Sequence, residues 1–558
     1  MNSVYDDEAA RRIGAKKDAF FRRLLVSNPM TQKKMLGLII QELQAMIDND
    51  DSQVLEDYYP SVVRLAREAP FKFMRDAFSQ IVATVEEKWP EFSDFKPCRR
   101  VSYFIENKDI ETIDNNDDEE VNELFRDAFL RTGRVSHLIQ LVSWHKSYLK
   151  LLHGSYNSIM QSDGSLPLPW RSYIALMAAS EYRCDYIADL QQYYFIVNGG
   201  DYEWIKGIDY VPPKLFRLHE LSSLLAHRPW LIKPHHIAEL LSAENEDSWS
   251  VSELVHAIIV LCKYHSLCSI ALGLGCAEEE DLAIFSDFGE VVAGSDPSRF
   301  PFDIASKCES PQTDNASSCG SISDQDMATI ERDDCELLKI LKSGHEGSET
   351  ADEEESVEED EEAGTFEVAE NGADYGIAST TQRRKDTLWR FCGGSVIRYA
   401  DFDVRSAEYN VLHTEDFSWD EHCFSLVKRY FPGDAGQILE DLFNLTGKLT
   451  YDYFGSQKDE FVDTSPFRNA VWYYVHRIFG ICHDDYDYRF VNIYLNRPTK
   501  IFIKKVACTP WKVRKEDFEH FDRTLSPSEK CHVTLIVAEA RKQAGLMYGL
   551  RAVMQHMR

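Results

Sequence analysis

Cys184 and Tyr186 are the first residues whose types and spacing suggest chemistry, because a cysteine with a nearby hydroxyl can serve as a redox centre. Such a cysteine needs a depressed pKa and, in most cases, a base or a second thiol beside it. On a helix those partners come three or four residues on. Ile187 and Ala188 occupy these places, and the next polar residues, Gln191 and Gln192, cannot accept a proton. Read from the residues alone, Cys184 is therefore a buried structural thiol. Thirteen cysteines without a single CxxC pair argue against a disulfide framework and against a zinc ribbon.

The elements that must position these residues read as helices, and the fold class is all-α. Lys33–Ile47 and Pro60–Ala69 carry apolar residues at helical spacing within an N-terminal helical extension, residues 1–115. A second helical block covers 121–280. In it Leu166-Pro-Leu-Pro169 stops one element, and Trp170–Ile196 then runs without Pro or Gly as one helix, with Cys184 in its middle. Ser250 and Glu253 have the spacing of a capping box at the start of a further helix. A third block covers 387–558 and closes on a long helix from Ser528 to Met557, with Ser528 as its N-cap.

Between the blocks, residues 281–386 are rich in Ser, Asp, Glu and Gly. They hold too few large apolar residues to repay ordering entropy, so the segment reads as a disordered acidic linker. Thirteen acids and no base lie between Glu346 and Glu370, within a net charge of −32. A surface this acidic repels phosphate backbones and anionic lipid, which excludes nucleic acid as a partner. No uncharged apolar run reaches the ~18 residues of a membrane span. With no signal-type N-terminus and a cysteine usage that suits a reducing compartment, the expected location is the cytoplasm or nucleus.

A spacing repeats between the two blocks. Pro169-Trp170-Arg171 opens a helix, and Cys184 follows its arginine by thirteen residues. Pro466-Phe467-Arg468 opens another, and Cys482 follows by fourteen. Proline suits the first helical turn in both. The spacing suggests duplicated folds.

Several long strings, in order, resemble the sestrins. In the first block these are Leu225-Ala-His-Arg-Pro-Trp-Leu-Ile232 and Trp249-Ser-Val-Ser-Glu-Leu-Val-His256. In the second they are Phe479-Gly-Ile, Asp484-Asp-Tyr-Asp-Tyr488, Ser528-Glu-Lys-Cys-His-Val533, Glu539-Ala-Arg-Lys-Gln-Ala544 and Leu550-Arg-Ala552. The resemblance implies two pseudo-symmetric halves, each similar to the alkylhydroperoxidase (AhpD-like) helical fold. It implies a stress- and nutrient-responsive negative regulator of TOR complex 1 that binds the GATOR subcomplex and senses leucine. AMP-activated protein kinase is an implied further partner, and no cofactor is implied.

The resemblance also assigns residues. A free amino acid needs an anion for its ammonium, a fork of donors for its carboxylate and a shaped apolar pocket. Arg468 matches the carboxylate binder, Glu529 the ammonium binder and His532 a pocket residue one turn further on. Thr450, Tyr451 and Thr464 match the lid, and Phe467 and Leu525 the apolar floor. Ser250, Asp484 and Asp485 match the partner surface. From the residues alone, Glu529 suits any first helical turn and Ser250 any helix cap.

Three positions depart from the family pattern. Asp522 stands where leucine-sensing members carry a pocket Trp, and Tyr453 where they carry a lid Thr. Gln191 stands where the redox pattern has a histidine, and the second cysteine of the AhpD type is absent. The competing function, an alkyl hydroperoxide reductase using Cys184 and Tyr186, then depends on a base from elsewhere, such as His256 or His265.

Overall fold

The computed structural model describes residues 20–95, 100–113, 117–242, 247–282, 337, 339–341, 388–393, 397–431, 433–455 and 460–558. The architecture is all-α. Its principal helices are α1 (Pro29–Asp48), α2 (Ser52–Glu68), α3 (Lys72–Lys88), α4 (Glu119–Thr132), α5 (Leu168–Glu181), α6 (Asp185–Val197), α7 (Val251–Gly273), α8 (Ser465–Ile478) and α9 (Pro527–Met557). Among the described residues the strands are one short parallel pair, β1 (Leu412–His413) and β2 (Ile481–Cys482).

The antiparallel pair α7 and α9, one helix from each half, forms the centre of the molecule. Almost every α7 residue from Leu254 to Gly273 is buried, which is why its sequence is apolar on all sides rather than along one stripe. By length and hydropathy α7 could cross a membrane, yet it lies wholly inside the protein. Close approach to α9 depends on glycine: a Cβ on Gly549 would sit 2.9 Å from Ile258 Cγ2, and one on Gly545 3.1 Å from Cys262 Sγ. One continuous apolar core runs through both halves as a result. Among the buried charges of α9, Glu539 and Lys542 pair with each other. Glu539 takes Lys542 at 2.5 Å and the Tyr148 hydroxyl at 2.8 Å, and Arg541 donates to the carbonyls of Leu225 and Ala226.

The N-terminal extension has its own smaller core, built from α1–α3 and from Val121, Phe125 and Phe129 on α4. Ions fasten it to the body. Arg64 Nε lies 2.9 Å from Asp281, and His137 Nε2 lies 3.8 Å from Glu68. Pro60 falls inside α2 rather than opening a helix.

Two sequence readings are corrected. The run Trp170–Ile196 is two helices rather than one, because Arg183 adopts a left-handed φ of 51° and breaks it. The Arg183 guanidinium lies over the rings of Trp389 and Trp511, both remote in sequence, and these contacts hold the break. The last helix begins two residues early, at Ser526, which forms a reciprocal capping box with Glu529; Ser528 is already helical.

Most of the segment read as a disordered linker lies outside the described residues. Near its first boundary Asp281 and Glu279 bind Arg134, and further along Leu337 and Leu341 pack on the main core.

Candidate ligand clamp and thiol cluster

Two helix starts converge on the second-half site. Arg468 sits in the first turn of α8 and Glu529 in the first turn of α9, and both are buried. Glu529 is fixed by three donors. Gly455 N–H reaches Oε1 at 2.6 Å, and the Ser526 N–H and hydroxyl reach Oε2 at 2.8 and 2.6 Å. Arg468 donates to two hydroxyls, Nε to Thr464 Oγ1 at 3.0 Å and Nη2 to Ser465 Oγ at 3.1 Å, beneath the ring of Tyr451. Among the described residues neither charge has an ion-pair partner. Burial holds the Arg468 guanidinium below its ordinary pKa, against the opposing pull of Asp463, Tyr451 and Asp452. Buried charges are ordinarily paired, because an unpaired one loses its hydration without compensation.

The lid residues are wired to the clamp. Thr464 Oγ1 donates to the Thr450 carbonyl at 2.7 Å, and the Thr450 hydroxyl donates to His532 Nδ1 at 2.6 Å. His532 Nε2 donates to the Thr446 carbonyl at 2.6 Å, which fixes the tautomer. Burial drives the His532 pKa well down, so the ring is neutral. With both nitrogens occupied, His532 positions the lid rather than presenting a free donor. Phe467 and Leu525 are buried beside the clamp's helix starts, while Tyr451 is exposed. Asp522 is buried and has a φ of 123°. Its Oδ1 accepts Thr524 N–H at 3.1 Å and Thr524 Oγ1 at 2.6 Å, so this oxygen folds back on its own loop.

The first-half site is different. Cys184 is fully buried and caps the start of α6 rather than lying mid-helix. Tyr186 does not supply a free hydroxyl. Its oxygen accepts Leu138 N–H at 3.0 Å and donates to Glu279 at 3.2 Å, within the buried network of Arg134, His137 and Asp281. Sequence reasoning missed two thiols in this region. Cys268 lies near enough to Cys184, and Cys276 to Tyr186, for each pair to interact electrostatically. Burial pushes both thiols well up. His256 is spoken for by the Ile159 carbonyl at 2.9 Å, and His265 packs on Tyr182 with its pKa driven well down by burial.

The proposed partner residues fall on two surfaces. Asp484 and Asp485 are exposed on a turn braced by the stack His476–His483–Tyr486–Tyr473, in which His483 and Tyr486 lie 3.8 Å apart. Ser250 is exposed too, but its hydroxyl takes Glu253 N–H at 3.2 Å as the cap of α7.

With this geometry in hand, comparison with known proteins is decisive. A family profile described as "PA26 p53-induced protein (sestrin)" matches residues 100–557. The chain belongs to the sestrin family. A protein of Dictyostelium discoideum named "Sestrin homolog" is 33% identical, across 96% of this chain and 89% of its own length. "Sestrin-1" of Macaca fascicularis is 36% identical across 82% and 90%, and "Sestrin-2" of Homo sapiens 35% across 77% and 86%. The sestrin profile leaves out α1–α3, the part with its own core, whereas the Dictyostelium alignment covers nearly the whole chain.

Proposed function

We propose that this sestrin-family protein is an amino-acid-responsive negative regulator of TOR complex 1 signalling, acting by binding the GATOR subcomplex in the cytosol or nucleus. The observation that carries the reading is the pair Arg468 and Glu529, two buried opposite charges without ion partners among the described residues. A zwitterion supplies a carboxylate for the first and an ammonium for the second. Phe467 and Leu525 favour an apolar side chain, leucine first. Calorimetry of the folded protein with leucine, isoleucine, valine and methionine tests this. Binding that disappears in Arg468→Ala is expected, and no heat from any of the four sinks the sensor.

Asp484 and Asp485 form the partner surface, on the support of their exposure over a rigid aromatic stack. Reversing both charges to Lys abolishes co-precipitation of the GATOR subcomplex and leaves the circular dichroism unchanged. Unaltered co-precipitation refutes the assignment.

A second reading is an alkyl hydroperoxide reductase at Cys184, favoured by the electrostatic interaction of the nearby Cys268 thiol with it. Burial works against it, because the thiolate is the nucleophile. Peroxide consumption that vanishes in Cys184→Ser establishes the activity; consumption at the background rate removes it.

A further inference from the structure

We propose that His413, Cys482 and Asp484 form a zinc site on the surface of the second half. Nδ1 or Nε2 of His413, Sγ of Cys482 and a carboxylate oxygen of Asp484 all lie within 4.8 Å of one another. Chain geometry puts them there. In the parallel pair β1–β2, His413 is the direct register partner of Cys482, so the two side chains leave the same face. The other face carries Leu412 and Ile481, which are buried. Beyond Cys482 the chain turns at Asp484, and this turn brings the Asp484 carboxylate back beside His413 and Cys482. His483 is turned the other way, into the stack with Tyr486 and a 2.9 Å contact with His476.

The donor set has the chemistry of a borderline-soft divalent ion. A thiolate and an imidazole select zinc over magnesium or calcium, and the carboxylate completes three protein ligands with a fourth position for water. Zinc bonds of about 2.0–2.3 Å separate ligand atoms by roughly 3.3–3.8 Å. The trio therefore closes on the ion by about 1 Å, through rotation of the exposed His413 and Asp484 side chains. A supporting shell exists already. The Tyr488 hydroxyl accepts His483 N–H at 3.0 Å, and Thr414 N–H holds the Cys482 carbonyl at 3.0 Å. The remaining cysteines in the described residues are all buried, so Cys482 is the thiol that an ion from solution can meet.

The test uses the full chain, stripped with a chelator and titrated with Co²⁺ as a spectroscopic stand-in, then with Zn²⁺ against a chromophoric competitor. One equivalent of Co²⁺ with a thiolate charge-transfer band in the near ultraviolet is expected. Cys482→Ser removes the band, and His413→Ala and Asp484→Asn each weaken Zn²⁺ binding by about tenfold or more. A band that survives in Cys482→Ser, or zinc affinity unchanged in His413→Ala, overturns the site. Circular dichroism keeps the result interpretable: His413 is exposed, so its variant retains the fold even if Cys482→Ser does not. His413 and Cys482 lie outside the proposed partner residues, so loss of metal in their variants is separable from loss of the partner.

Discussion

The two halves of the molecule carry the same pair of charges and surround them differently. In each half an arginine stands in the first turn of a fourteen-residue helix that opens with proline, Arg171 on α5 and Arg468 on α8. In each, a long central helix begins with a serine capping box whose glutamate is Glu253 on α7 or Glu529 on α9. In the first half both charges are answered from within. Arg171 donates to the carbonyls of Leu166, Ile159 and Ser162, and Glu253 takes Lys214 at 2.8 and 2.9 Å. In the second half Arg468 has two hydroxyls and a ring, and Glu529 has neutral donors. The same frame thus sets one arginine among three carbonyls and the other against two hydroxyls and a ring. What separates them is the number of acceptors each arginine already fills, and on the acid side the Lys214 cation that only Glu253 has.

The largest expected effect breaks this contrast if it is wrong. Arg468→Ala removes a charge partner of a bound carboxylate, which costs about 2–5 kcal/mol and lowers amino-acid affinity by about thirtyfold or more. It leaves the melting temperature nearly unchanged. Arg171→Ala does the reverse. Three buried carbonyls lose their donor, at a cost of about 3 kcal/mol, and a large drop in melting temperature is expected with ligand affinity retained. Calorimetry and thermal denaturation on both variants decide. Equal thermal losses would erase the distinction between the halves.

The contrast also assumes that both sites ride on one core. Gly549→Val tests this, because its new side chain meets Ile258 at the crossing of α7 and α9. Overpacking there costs about 1–3 kcal/mol. The cost is expected to appear in one transition that takes down both halves. Two separated transitions in a scanning calorimeter would mean that the halves unfold independently.

Ionisation should distinguish the halves next. Burial alone would lower the His137 pKa, but the Glu68 and Glu279 carboxylates outweigh it and raise the value from 6.5 to about 9. A raised folded value means that the imidazolium stabilises the fold fully below pH 6.5 and contributes nothing above about pH 9. Stability is therefore expected to fall by roughly 2 kcal/mol across that window, after allowance for the partly exposed Glu68. His137→Gln flattens that part of the profile. Chemical denaturation at pH 6 and pH 9.5 checks it, and a variant with the wild-type slope would place the charge elsewhere.

Helical periodicity was enough to read the all-α class, because it is a local property. The break at Arg183 was not legible, since no Gly or Pro marks it and the rings that hold it come from Trp389 and Trp511. Ser526 was missed for Ser528 although its spacing to Glu529 was in the sequence: two serines flank Pro527, and only the first has the glutamate three residues on. Family resemblance assigns Arg468 and Glu529 a role, but their hydrogen-bond partners are not legible from it. Whether Glu253 or Glu529 is neutralised depends on Lys214, which is remote from Glu253, and on Gly455, which is remote from Glu529. The His413–Cys482 pairing joins two-residue strands too short to announce themselves.

The smallest effect concerns the caps that the two halves share. Ser250 has two roles assigned to it, the cap of α7 and part of the partner surface. The roles make different demands on the side chain. A cap needs an acceptor for Glu253 N–H, which Asp supplies as well as Ser, whereas a buried partner contact tolerates no new charge. Ser250→Ala should cost about 1 kcal/mol of stability, and Ser250→Asp about nothing. If Ser250 also meets the GATOR subcomplex, co-precipitation falls in the stable Ser250→Asp protein. If the partner is retained there, Ser250 is a cap alone, as its counterpart Ser526 is for α9.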